Sequence, residues 1–167
     1  MLGYAVSHFT THIKKIKLNM QNRPTGKVIQ LFITHNDVSK TRESLTSIDI
    51  DSKGIPKDKF YAKDPHRAIL LTSTDSYTLS QKNGITLNYG SLGENILIDI
   101  NPYHLKHGDR IKIGETLLEI TQHCTLCKGL SSINSKLPKL LKNDRGIFAT
   151  VISDYATIKL NDTVEFL

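Results

Sequence analysis

Two cysteines, Cys124 and Cys127, stand three positions apart in the stretch TQHCTLCKGL (residues 121–130), and they are the only two in the chain. A two-residue gap is half of a common zinc site, but zinc takes about four ligands. There is no second cysteine pair. The seven histidines, His8, His12, His35, His66, His104, His107 and His123, are scattered. A redox pair would open a helix inside a strand–helix–strand unit, a setting the pattern here does not suggest. For Cys124, close behind a strand-like run, packing as a small apolar residue competes with a chemical role. Cys127 lies further on, in the glycine- and serine-bearing run CKGLSS. Neighbouring Lys128 and His123 would favour its thiolate.

Three other places could do chemistry. GSLGENI (90–96) sets Gly90 and Gly93 before Glu94 and Asn95. Glycines permit close backbone approach to a ligand, and Glu94 or Asn95 could then fix it by hydrogen bonds. An ordinary turn leading into a strand has the same composition. The stretch is no phosphate loop, since no Gly-Lys-Ser/Thr follows. Arg67 and Arg145 each precede a strand-like run, where a guanidinium can hold a phosphate or carboxylate bidentately. A structural ion pair, for instance with Asp58, Asp109 or Asp144, is the alternative.

The elements that must position these residues are mostly strands. KVIQLFIT (27–34), RAILLTS (67–73), ENILIDI (94–100), the hairpin DRIKIGETLLEIT (109–121) and the closing runs 146–154 and 157–167 alternate or run apolar. Residues 35–66 read as a long irregular excursion with one short strand near Ser47–Ile50. Short helices are expected at 73–84, stopped by Gly84, and at 135–143 from Pro138. This pattern predicts a mainly β fold, an antiparallel β-barrel with a few short helices. A doubly wound parallel sheet is disfavoured.

The chain has 167 residues, enough for one domain with a real core. Its net charge of +6 is uneven. Residues 1–25 contribute +4 without a single acid, and the 18 basic and 16 acidic side chains that follow nearly cancel. This divides the chain into a basic N-terminal extension, 1–25, and a folded domain, 26–167. Without an aromatic stripe interleaved with Lys or Arg, nucleic acid is not expected as a partner. No run approaches the roughly 20 apolar residues of a membrane span, and two cysteines make no disulfide scaffold, so the cytoplasm is the expected location.

The order of these pieces resembles the MOSC domain, the C-terminal domain of molybdenum-cofactor sulfurases, which also occurs as small stand-alone bacterial proteins. GKVIQLFIT is similar to the family's opening strand. GIPKD (54–58) with HRAILLTSTDS (66–76) resembles its Gly-Ile-x-Gly-Asp element and Arg-led strand, with Lys57 in place of the second glycine. GSLGENILID is similar to its Gly-Glu-Asn signature, GDRIKIGETLLEIT to its Gly-Asp hairpin, and CTLCKGL to its cysteine loop. RGIFATVI and IKLNDTVEF resemble the closing strands, with Asn161-Asp162 in place of Gly-Asp.

The resemblance implies a β-barrel with Cys127 at its mouth as the catalytic thiol and Cys124 as an auxiliary thiol. Cys127 would carry sulfane sulfur as a persulfide or bind molybdenum. Arg67, Gly93, Glu94, Asn95, Lys128 and Arg145 would hold a molybdenum cofactor (molybdopterin). Reduction of N-hydroxylated compounds is one implied activity, and a non-catalytic module binding a pterin or a partner is another. No site for pyridoxal phosphate or flavin is evident. A partner is therefore expected: a cysteine desulfurase, which would carry the pyridoxal phosphate, or a molybdoenzyme or electron donor. Deleting residues 1–19, which carry no family motif, is expected to leave the melting temperature almost unchanged. A drop of many degrees would show that the extension packs on the domain.

Overall fold

The structure of the protein is a computed structural model. It describes residues 24–37, 42–125 and 128–167, and side chains except that of Lys128. Among the described residues, ten strands and three short helices follow one another: β1 (Thr25–Thr34), β2 (Arg42–Leu45), β3 (Ser47–Ile50), β4 (Ile69–Ser73), α1 (Thr74–Lys82), β5 (Ile96–Ile98), β6 (Arg110–Ile113), β7 (Thr116–His123), α2 (Lys128–Ile133), α3 (Leu137–Leu140), β8 (Ile147–Val151), β9 (Ala156–Lys159) and β10 (Thr163–Phe166).

Seven strands close a barrel in the order β1-β5-β4-β8-β7-β6-β10. Closure falls to the long β1. Its first residues pair with β10, Gly26 opposite Val164, while its last four pair with β2, Leu31 opposite Leu45. Closure removes the unpaired edges that an open sheet would leave.

The barrel interior is filled by one residue in two from each strand: Leu31 and Ile33, Ile69 and Leu71, Ile96 and Ile98, Ile111 and Ile113, Leu118 and Ile120, Ile147 and Ala149, Val164 and Phe166. This alternation is what the sequence pattern requires of a half-buried strand. On the outside, Leu97 of β5 is covered by Tyr77 of α1, Leu92, Leu130 of α2 and Leu137 of α3.

Five features differ from the sequence expectation. The excursion 35–66 contains two strands, β2 and β3. They are short and flanked by polar residues, so pairing with β1 and β9 decides them. Arg67 ends a 3₁₀ turn, Pro65–Arg67, and the strand begins at Ile69. The stretch after the cysteines is helical at Lys128–Ile133, because Leu130 gains burial against Leu92 and Leu97. In addition, β4, α1 and β5 do form a strand–helix–strand unit, and β4 and β5 run parallel, Leu71 opposite Ile96. Finally, the run 157–167, read as one strand, is broken by a turn at Asn161, which stands at φ 67°. The turn joins β9 to β10, which pair with different neighbours, β3 and β1.

Gly146 marks where β8 approaches β4 closely. A Cβ there would lie 2.7 Å from the Leu71 carbonyl oxygen and 2.9 Å from Thr72 Oγ1. Both neighbours are buried. Gly146→Ala is therefore expected to cost about 1–3 kcal/mol of stability through overpacking. Urea denaturation checks this, and an unchanged midpoint would show that the strands can part at no cost.

Candidate functional site

A cavity of about 370 Å³ opens beside the barrel wall, lined by Thr34, Arg42, Lys59, Phe60, Lys63, Asp64, Arg67, Leu70, Gly93, Asn95, Cys124, Arg145 and Phe148. Its apolar floor is Leu70, Phe148 and Cys124. Leu70 and Phe148 are direct cross-strand partners. Each alternates with barrel-filling residues, Ile69 and Leu71 on β4, Ile147 and Ala149 on β8, so both face outward. The cavity is thus built on the outer face of β4 and β8 and roofed by the excursion. The interior of the barrel is already full, which is why the site is not inside it.

Asn95 and Asp58 hold the roof to the wall. The Asn95 side chain accepts from the Leu70 N–H at 3.1 Å and donates to the Phe32 carbonyl and to Asp58 Oδ2, each at 3.3 Å. Its backbone bonds the same strands: Asn95 N–H to the Leu70 carbonyl and Phe32 N–H to the Asn95 carbonyl, both 2.8 Å. Asp58 accepts from the N–H groups of Thr34 (2.8 Å) and Phe60 (2.9 Å).

Two guanidinium groups carry the electrostatics. Arg145 is only 8% exposed. Its Nη2 donates to the Leu92 carbonyl at 3.1 Å and its Nη1 to the Thr125 carbonyl at 3.5 Å, while Nε is buried without a hydrogen-bond partner. Thr72 fixes its backbone by donating to the Arg145 carbonyl at 2.9 Å. Arg42 donates from Nη1 to Thr34 Oγ1 at 3.0 Å and sits 5.1 Å over the Phe32 ring, leaving Nε and Nη2 buried and unpartnered. Burial pulls the Arg42 pKa below its ordinary value, opposed by the nearby charges of Glu94 and Asp58. Neither carboxylate hydrogen-bonds Arg42: Asp58 is engaged by backbone N–H groups, and Glu94 Oε2 has no hydrogen-bond partner among the described residues. Glu94 is fully buried; its Oε1 accepts from the Tyr77 hydroxyl at 2.5 Å and from the Gly90 N–H at 2.9 Å. A buried cation that keeps spare donors is costly unless an anion meets it. The arrangement suits a phosphate or another multivalent oxyanion.

Of the residues that the sequence pointed to, Arg67, Gly93, Asn95, Cys124 and Arg145 line this cavity. Glu94 does not line it; it is buried behind, under the loop 90–93. Cys124 is 5% exposed, with its N–H on the Gly146 carbonyl and its Sγ 3.9 Å from the Thr125 carbonyl. Cys127 and the Lys128 side chain lie outside the described residues, as do residues 1–23. His123 is bonded through Nε2 to the Leu105 carbonyl at 3.1 Å. Lys57 lines a separate cleft with Ile48, Pro56 and Tyr155. Sequence reasoning missed Arg42, Lys59, Phe60, Lys63 and Asp64. Arg42 has no local signal. The KDKFYAK run sets one aromatic pair, Phe60 and Tyr61, between lysines, which is too short to make a stripe, and its polar context reads as a loop.

The family model of the MOSC domain matches residues 58–165, and the chain belongs to that family. Among solved structures it is similar to the YuaD protein from Bacillus subtilis, with a TM-score of 0.73 and 21% identity over 87% of this chain and 97% of that one. YiiM from Geobacillus stearothermophilus aligns with a TM-score of 0.65 and 14% identity, over 86% of this chain and 75% of that one. YiiM from Escherichia coli aligns with a TM-score of 0.65 and 16% identity, over 86% and 70%. At these identities the likeness is one of fold. No curated protein sequence matches the chain. Among the described residues, no helix is long and apolar enough to cross a membrane. MOSC proteins as a family are associated with the molybdenum cofactor.

Two buried tyrosines give the domain an alkaline limit. Tyr77 is pushed well above the ordinary phenol value, first by burial and then by the Glu94 charge. Tyr103, whose hydroxyl accepts from the Ser73 N–H, is raised by burial too. Both stay neutral in the folded state, whereas unfolded tyrosines ionise near pH 10. Their contribution to stability is complete below about pH 10 and declines as pH rises toward the folded values. Stability in urea should be level up to about pH 10 and fall beyond it. Tyr77→Phe should lose about 1–3 kcal/mol at pH 8, because Glu94 loses a donor, and should fall less steeply above pH 10. An identical alkaline slope in both proteins would sink the assignment.

Proposed function

We propose that this cavity holds the molybdenum cofactor and that Cys127 supplies the soft thiolate that works with it. The observation that carries the reading is Arg145: a buried guanidinium on the cavity wall whose Nε has no partner. A persulfide carrier working without cofactor needs an accessible thiol and no buried cations. Two guanidinium groups with spare donors are explained by a resident anion, and the cofactor's phosphate is one. Arg145 and Arg42 would hold that phosphate. Gly93, exposed and without a Cβ, leaves room for close approach, and Asn95 keeps the wall in register. Cys127, three residues past the cavity-lining Cys124, would be the metal ligand, since thiolate suits soft metals. When bound, the cofactor supplies two-electron redox chemistry, by which N-hydroxylated compounds would be reduced. The electrons, or the sulfur in a transfer reaction, would come from a partner protein.

The test is to express the protein in a host that makes the cofactor and to measure molybdenum and pterin per chain. Wild type should retain both. Arg145→Met should retain at least about tenfold less, with an unchanged circular dichroism spectrum, on the loss of a charged hydrogen-bond donor. Cys127→Ser should lose molybdenum. An empty wild type whose Cys127 accepts persulfide sulfur from a cysteine desulfurase would overturn the reading in favour of a sulfur carrier.

A further inference from the structure

The cavity carries more positive charge than one phosphate uses. Arg42 and Arg145 are its more buried cations. Lys59, Lys63 and Arg67 stand on the excursion that roofs it, and Asp64 is the one carboxylate among the lining residues. That carboxylate is already engaged by the His66 N–H at 2.9 Å. None of the three roof cations forms an ion pair with a described carboxylate.

Phe60 stands among them, 51% exposed despite its size. The Lys59 ammonium lies 4.9 Å and the Lys63 ammonium 5.8 Å from its ring centroid. The negative face of the ring offsets the repulsion that would otherwise drive two such ammoniums apart. Arg67 is likewise held, its guanidinium 4.8 Å from the Phe148 ring. The backbone beneath is anchored: Lys59 N–H to the Thr34 carbonyl at 2.8 Å, Phe60 N–H to buried Asp58 at 2.9 Å, Lys63 N–H to the Phe60 carbonyl at 3.2 Å. An exposed aromatic side chain and three cations in no ion pair with a described carboxylate thus stand together at the cavity.

We propose that Lys59, Phe60, Lys63 and Arg67 form a second recognition level, separate from the Arg42–Arg145 pair, that takes a substrate consisting of a flat aromatic or heteroaromatic ring with an anionic group. The ring stacks on Phe60, and the anion bridges the lysines and the Arg67 fork. Calling this ligand the substrate rests on the reading of the inner level as the cofactor's place. The preference for a ring-bearing anion does not.

The experiment uses the full chain from a host that makes no molybdenum cofactor, at low salt, followed by NMR of backbone amides and arginine Nε–H groups. Adenosine 5′-monophosphate is the ring-bearing anion. Ribose 5-phosphate lacks the aromatic ring, adenosine lacks the charge, and inorganic phosphate fills the inner level. The nucleotide should bind at least about tenfold more tightly than ribose 5-phosphate or adenosine, shifting the amides of residues 59–63. It should stay bound while saturating phosphate shifts the Arg42 and Arg145 Nε–H signals. Phe60→Ala should abolish the preference over ribose 5-phosphate, and the Lys59→Gln, Lys63→Gln double variant the preference over adenosine. Competition between nucleotide and phosphate, failure of the nucleotide to bind, or a Phe60→Ala variant that binds it like wild type would overturn the proposal. Molybdenum and pterin content, measured on the same chain from a cofactor-making host, separates the two ideas. An empty protein that still selects the nucleotide removes the cofactor reading and keeps the second level. A loaded protein that does not select it removes the second level alone.

Discussion

The hydrogen-bonded contact between Asn95 and Asp58 is the constraint on which the rest of the site depends. Asn95 links β1 to β4 through both its backbone and its side chain, and it reaches Asp58 at the root of the excursion. Asp58 in turn caps the end of β1 and the start of the turn that carries Lys59, Phe60 and Lys63. Both residues are buried. A buried amide and carboxylate tolerate removal from water only when their hydrogen-bonding groups are met. Each bond therefore fixes a neighbour, and together they set the distance between cavity floor and roof.

Behind that frame lies a balance of buried charge. Arg42 and Arg145 sit where a cation is expensive, and Glu94 and Asp58 lie near enough to Arg42 to favour its charged form. Yet neither carboxylate hydrogen-bonds Arg42: Asp58 accepts from backbone N–H groups and Asn95, and Glu94 accepts from Tyr77 and Gly90 on Oε1 alone, with Oε2 unpartnered among the described residues. The charge is compensated through space while guanidinium nitrogens remain available. Donors held in this way would need little reorganisation to meet an anion. A direct Arg42–Glu94 ion pair would have neutralised the same charge and closed the site.

The barrel itself is a scaffold. Its interior is packed with aliphatic side chains from every strand, which leaves no room for a ligand. The cavity lies instead on the outer face of β4 and β8, where Leu70 and Phe148 make an apolar floor. At β5 the outer wall is covered by α1, α2 and α3, which pack over Leu97. The cavity persists because this patch is covered by a long polar excursion, tied down at Asp58, whose lysines and exposed Phe60 cannot fill it.

Much of the barrel was legible in the chain. β7 carries its own period of two, β1, β4 and β8 stand out as apolar runs, and Gly84 and Asn161 mark turns by conformational preference. So did part of the cavity wall: Arg67, Gly93, Asn95, Cys124 and Arg145 are marked by glycine neighbours, strand ends or reactive side chains. The residues 90–96, read either as a ligand loop or as a plain turn, divide between those two roles: Gly93 and Asn95 face the cavity, while Glu94 is buried behind it. Other features had no local signature. β2, the helix at Lys128–Ile133 and the parallel pairing of β4 with β5 exist because of distant partners. Arg42 is an ordinary charged residue on a short polar strand until pairing with β1 brings it beside Thr34, Phe32 and the cavity. Periodicity and turn chemistry are properties of neighbouring residues, so the sequence carries them openly. Burial of a charge, and which of its donors stay unspent, are properties of residues brought together from 25 to 53 positions apart, and only the folded chain decides them.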